Sequence, residues 1–340
     1  IFFCWELYST MNGKYLKRGD KMAKKRKPKM EFRYYQMSAG SPILALLGQK
    51  WVQNYGNDVD YLHFHNYLEI GYCYGGDGHM VLGEEEKRFY GGIVTVIPPN
   101  YPHTTNSDIG TVSKWEYLFI DVEGFMKKFL DTCRRLLSIA LNLFVLCAEP
   151  IALPLSWEMG QAQIFTYYTE DSNIFAAVVC ALVAVCQLWC IFTGGELPRW
   201  LKRLKFMATS CLLLTFLTVV FVLAPMNGEG GLYMLLCTSS MLYHHLLNPM
   251  AALLSYLLLE REPHLPRSDV RWALLPTLAY AAVILPLNIL RVIVGPYPFF
   301  EVYHQPVYVS VLWAVGLLGV NYLYAWLLWH LGGGRPRSAR

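Results

Sequence analysis

His63 and His65 stand two residues apart, Glu69 follows them, and His103 comes later in the chain. Imidazole nitrogens and a carboxylate suit a divalent transition metal. On an extended strand alternate residues share a face, so His63 and His65 point the same way. The set His63, His65, Glu69 and His103 therefore reads as a metal site, or as the polar lining of a pocket for a small effector. Tyr72 and Trp115, with Tyr74 and Phe89, offer aromatic walls on which a sugar ring stacks, and they also suit plain core. A second polar group lies further on: Thr169, Glu170, Asp171, Ser172 and Asn173, then His244, His245 and Asn248 before Pro249, then Asn288 and Arg291. A threonine hydroxyl becomes nucleophilic beside a base. The same residues can instead hold helices together by hydrogen bonds.

Two kinds of element must position these groups. Between 31 and 125 the chain carries short runs rich in β-branched and aromatic residues, at 61–64, 68–74, 79–82, 87–90, 93–97 and 115–121. Glycines separate several of them, a pattern that predicts an all-β sandwich or barrel. Six long apolar segments follow, at 136–157, 173–193, 204–225, 232–259, 272–294 and 307–331. A bilayer core about 30 Å thick takes about 20 apolar residues per helix, so these predict an all-α six-helix transmembrane bundle. Polar residues inside such spans are costly and point to function.

The chain is 54% hydrophobic with a net charge of +4, and the placement of the bases says more than their sum. Lys127, Lys128, Arg134 and Arg135 precede the first span, and Arg199, Lys202, Arg203 and Lys205 lie between the second and third. Arg261, Arg267 and Arg271 follow the fourth, and Arg335, Arg337 and Arg340 follow the sixth. The intervening loops carry acids, among them Glu158, Glu229 and Glu301. Bases gather on the cytoplasmic side, so both termini are expected there, in a multi-pass protein of the cytoplasmic membrane. Residues 1–30 read as a basic, solvated tail or as an attractor for anionic lipid or nucleic acid. Because the chain opens at Ile1, Met11, Met22 and Met30 are candidate starts. Residues 126–135 read as a basic linker and 332–340 as a basic tail. The cysteines form no C-x-x-C pair, so neither a disulfide framework nor a zinc finger is expected.

Two stretches carry family resemblances. Leu62-His-Phe-His-Asn-Tyr-Leu-Glu-Ile-Gly71 and Thr95-Val-Ile-Pro-Pro-Asn-Tyr-Pro-His103 resemble the two motifs of the cupin jelly-roll barrel, and more narrowly the sensor domain of AraC-type transcription regulators. This implies an effector-binding domain over 31–125, with a sugar among the candidate effectors and a homodimer among the candidate assemblies. Asn100 stands where enzymatic cupins often carry glycine, which argues against catalysis in the barrel. AraC-type regulators continue into helix-turn-helix units; no such segment follows here, so no direct nucleic-acid contact is expected. Phe165-Thr-Tyr-Tyr-Thr-Glu-Asp-Ser-Asn173 and His244-His-Leu-Leu-Asn-Pro249 resemble the androgen-induced six-span membrane family and its bacterial relatives. Animal members hydrolyse fatty acid esters of hydroxy fatty acids. The resemblance implies Thr169 as nucleophile and His245 as base, with His244 as rival; from their shared outer half of the spans, Arg291 or Asn288 is expected on the same cavity wall. Glu170 and Asp171 directly after Thr169 depart from that pattern and suit an ion or a polar substrate as well. The leading expectation is a membrane-anchored cytoplasmic sensor. Its rivals are a lipid ester hydrolase and a fusion of two uncoupled domains.

Overall fold

The computed structural model describes residues 29–57, 61–260 and 265–332. The basic run before Lys29 and the C-terminal arginines fall outside them. The chain separates into two compact units, one ending at Leu130 and the other beginning at Asp131.

Among the described residues the first unit holds ten strands. They are β1 (Lys29–Arg33), β2 (Ile43–Leu46), β3 (Gln53–Tyr55), β4 (Tyr61–His65), β5 (Leu68–Gly75), β6 (Asp77–Leu82), β7 (Glu85–Tyr90), β8 (Val94–Ile97), β9 (His103–Ser107) and β10 (Ser113–Ile120). One sheet runs β1-β4-β9-β6-β7; the other runs β2-β10-β5-β8, with β3 also against β10. Alternation decides the core. Along β5, Glu69, Gly71 and Cys73 are buried while Tyr72 and Tyr74 are exposed. Met80 and Phe89 from one sheet pack with Cys73, Ile97, Trp115, Tyr117 and Phe119 from the other. Two sheets that share one cluster form a packed pair with an apolar interior.

The second unit is helical. Its elements are α1 (Val122–Gly160), α2 (Tyr168–Thr193), α3 (Arg199–Met226), α4 (Gly231–Cys237), α5 (239–259), α6 (Arg267–Ile289) and α7 (Val307–Leu331). The expected linker 126–135 is part of α1, whose first turns begin before the unit boundary. Among the described residues five helices are long and apolar enough to cross a membrane. The expected fourth segment, 232–259, is not one helix. Thr238 is extended (φ −114°, ψ 142°) and Ser239 takes a positive φ of 46°, which parts α4 from α5. The turn Leu242–Leu247 is widened to a π-type pitch. Pro249 accounts for that locally: it lacks an N–H, and its ring would clash with the carbonyl of His245, one α-turn earlier.

The core of this unit is apolar, with Leu201, Phe206 and Leu212 fully buried, but its outward surface is apolar too and several polar side chains are enclosed. Phe192 is 80% exposed and Val185 is 70% exposed, whereas Asn142, Asn173, His244, Asn248 and Asn321 are fully enclosed. An apolar outward surface with polar groups drawn inside is the arrangement hydrocarbon solvent selects, because unsatisfied polar groups there are costly.

Candidate functional site

In the first unit β4 and β9 pair so that His63 lies directly opposite His103. Their ring centroids are 4.2 Å apart. His65, two residues along the same strand, faces the same interior. Glu69 reaches in from β5 of the other sheet: its Oε2 is 3.1 Å from His65 Nε2 and its Oε1 is 3.5 Å from His103 Nε2. All four side chains are buried. The compact ligand set is His63, Glu69 and His103, whose ligand atoms lie within 4.8 Å of one another. His65 stands beside this set, its ring 6.4 Å from that of His63.

The tautomers follow from the backbone. His65 Nδ1 lies 2.7 Å from the Tyr67 carbonyl and His103 Nδ1 lies 2.9 Å from the Tyr101 carbonyl, so both must donate there. In the neutral ring each Nε2 then carries a lone pair toward Glu69. Neither Nε2 makes a hydrogen bond, and neither does His63 Nδ1. Lone pairs crowding a buried carboxylate call for a positive charge between them, from protons or from a metal. A histidine that donates its other N–H to a carbonyl is the usual arrangement around a metal. The donor set thus fits a divalent transition metal. Burial, and then the neighbouring His103, holds the His63 imidazole down at about 3. Burial pushes the Glu69 carboxyl up, but the facing His103 and His65 pull it further the other way, to about 2.

The aromatic expectations part company. Tyr72 lies on the outer face of β5, opposite to Glu69, and is 41% exposed beside Tyr74. It cannot join the histidine cluster, because an odd offset along a strand reverses the side chain. Trp115 is fully buried in the sheet core, edge-on to Phe89 and stacked on Tyr117. Phe119, which the sequence reading passed over, is the ring that meets His65, at 5.3 Å between centroids.

In the helical unit Thr169 Oγ1 lies 3.2 Å from His245 Nε2. His245 Nδ1 lies 2.7 Å from the Leu235 carbonyl and so carries the hydrogen, which leaves Nε2 as the acceptor facing Thr169. The Tyr297 hydroxyl is 3.5 Å from the same Oγ1. His244 points elsewhere. Its Nε2 is 3.4 Å from Glu149 Oε1 and its Nδ1 is 3.9 Å from Glu170 Oε1. Adjacent residues on a helix diverge by about 100°, so one histidine faces Thr169 and the other does not. Beside Thr169 opens a cavity of about 480 Å³, walled chiefly by apolar and aromatic side chains such as Leu214, Leu285, Phe299 and Trp313. Neither Asn288 nor Arg291 lines it. Asn288 instead staples the loop after α6, accepting from the Val302 N–H. The Arg291 guanidinium stacks over the exposed Tyr303 ring at 4.4 Å. Tyr297 was missed because a tyrosine in a loop carries no sequence signal of a site. Glu149, inside the apolar run expected at 136–157, is one of two carboxylates facing His244.

Residues 53–159 match the family model of the AraC-like ligand binding domain. That stretch starts at β3 and carries through α1, later at both ends than the expected 31–125. No curated protein matches the chain. Among solved structures, a cupin 2 conserved barrel domain protein from Rhodopseudomonas palustris is 16% identical, over 25% of this chain and 68% of its own, with a TM-score of 0.19. Apo-HppE is 22% identical, over 25% of this chain and 56% of its own, also with a TM-score of 0.19.

Proposed function

We propose that the protein is a membrane-anchored small-molecule sensor whose β unit, a cupin of AraC sensor type, binds its effector among His63, His65, Glu69 and His103. The observation that carries this reading is the inward convergence of three imidazoles and a carboxylate with unpartnered nitrogens. The similarity over 53–159 to an AraC-like ligand binding domain supports it. A hydroxylated effector, a sugar among them, suits such a polar pocket. His63, Glu69 and His103 would hold a divalent transition metal, with His65 orienting the carboxylate. When bound, that metal supplies a Lewis-acidic anchor for an effector oxygen.

The test uses the full chain in detergent, with thermal unfolding followed against Zn²⁺, Mn²⁺ and a panel of sugars. A ligand at about 100 times its Kd stabilises by about 2.7 kcal/mol. The midpoint should rise with a metal or a sugar, and the rise should vanish in His103→Ala. If no probe raises the midpoint, or if His103→Ala responds equally, the sensor reading falls.

A second reading rests on its own observation, the Thr169–His245 pair at the mouth of an apolar cavity. That pair can hydrolyse a lipid ester. His245 Nε2 accepts the Thr169 proton as Oγ1 attacks the acyl carbonyl, forming an acyl-threonine and releasing the alcohol, to which His245 returns the proton. Water, deprotonated by His245, then frees the acid. The Tyr297 hydroxyl is placed to donate to the charge that develops at the carbonyl oxygen. Removing such a base costs about 10²–10⁴-fold in rate. Hydrolysis of long-chain esters that survives Thr169→Ala or His245→Gln would exclude this chemistry.

A further inference from the structure

A second cavity of the helical unit, about 450 Å³, collects five bases: Arg134, Arg135, Arg199, Lys202 and Lys205, with Glu196 and Glu260 also in its lining. Asp131, outside the lining, pairs with both Arg134 and Arg135, Lys202 approaches Glu196 at 3.7 Å and Lys205 approaches Glu260 at 3.8 Å. Lys205 also donates to Asn142 Oδ1.

The bias of bases toward one side of a membrane accounts for their presence in these loops but not for their positions. Bases that only mark the cytoplasmic side extend into water. Here the side chains of Lys205, Arg135 and Lys202 keep 3%, 13% and 19% of their exposure, while Arg199 remains exposed. Three of the five sit in the first two turns of α3, which has no acid in its first turn and no side-chain cap. A helix start carries partial positive charge, so cations there stand electrostatically uphill unless an anion joins them. The opposite wall is apolar and aromatic, with Leu197, Tyr256, Leu265 and Trp329. An anion beside an apolar wall is the chemistry of a phosphate ester with a hydrocarbon neighbour.

We infer that this cavity binds a phosphate-bearing anion, with Arg199, Lys202 and Arg135 on its charge and the apolar wall beside its organic part. The source is either an anionic phospholipid headgroup or a free phosphate compound. Basic pockets between membrane helices on the cytoplasmic side are placed to take anionic headgroups from that leaflet.

The experiment measures binding to the full-length protein in detergent by native mass spectrometry and by thermal shift. Its arms are phosphatidylglycerol, phosphatidylcholine and inorganic phosphate. Phosphatidylglycerol should bind and raise the unfolding midpoint, and phosphatidylcholine should bind at least tenfold more weakly. The double variant Arg199→Gln/Lys202→Gln should lose at least tenfold in affinity for phosphatidylglycerol. Its charge-keeping counterpart Arg199→Lys/Lys202→Arg should retain it, which separates lost charge from lost folding. Inorganic phosphate that competes at equal concentration identifies a free phosphate ligand; failure to compete identifies the lipid. Equal binding of the two lipids, or undiminished binding by the neutral double variant, overturns the proposal.

Discussion

His63 ties the pocket to pH. In the fold its imidazole is held at about 3, against 6.5 in an open chain. Between those values the unfolded chain binds a proton that the folded one refuses. Stability is therefore full above about pH 6.5 and drains as the pH falls toward 3. Glu69, held below its ordinary value, adds to the same acid loss further down. In full-length protein stripped of metal by a chelator, the unfolding midpoint should fall with acid over this window. His63→Gln should flatten the upper part of the fall; an unchanged slope would place the proton uptake elsewhere. The four pocket residues were legible because their alternation and chemistry agree. Tyr72 was misjudged at the same scale: its odd offset from Glu69 already put it on the far face.

Strands were legible where large apolar and aromatic residues recur along them, as in β5 and β10, and illegible where small polar residues fill them, as in β9. β9 reads His-Thr-Thr-Asn-Ser, and with His103, Thr104, Thr105 and Ser107 buried it shows no apolar alternation at all. The helices failed differently. An apolar run records length but not interruption, so the break at Thr238 was invisible. That break matters to the site: with α5 starting at Ser239, His245 lies only about 9 Å along the helix on a 1.5 Å rise. An unbroken helix from Leu232 would put it about 20 Å deep, too far for a threonine at the mouth of α2. Within the sheets, Gly71 is a packing requirement. A Cβ there would lie 2.6 Å from Thr95 Oγ1 and 3.0 Å from the Tyr117 ring. Gly71→Ala should cost about 1–3 kcal/mol by overpacking, read as a lower midpoint in chemical denaturation. Gly75→Ala, with nothing within 4 Å, is the control and should leave the midpoint in place.

For the molecule as a whole, the parity of crossings decides where the termini lie. Five crossings put them on opposite sides and six on the same side. Residues 239–259 span about 30 Å as a helix, enough for a sixth crossing, and only six crossings match the alternation of loop charge. A reporter active only in the cytoplasm should therefore work after Arg340 and before Met30, and stay silent within 158–163 and 227–231. Activity at one terminus alone would mean that α5 does not cross. The apolar outward surface of the helical unit also bears on how the chain drifts in evolution. In the β unit an inward position such as Phe89 or Ile97 accepts apolar exchanges and rejects polar ones. In the helical unit inner positions such as Leu201 and Phe206 follow the same rule, but the surface does not. Its outward surface tolerates any greasy side chain, so those positions wander freely among Leu, Val and Phe. The enclosed Asn142, Asn173, Asn248 and Asn321 are held by their hydrogen-bonding shape. One polypeptide thus lives under two substitution codes, and a single hydrophobicity-based scale of mutational tolerance will misjudge the outward surface of its helical unit.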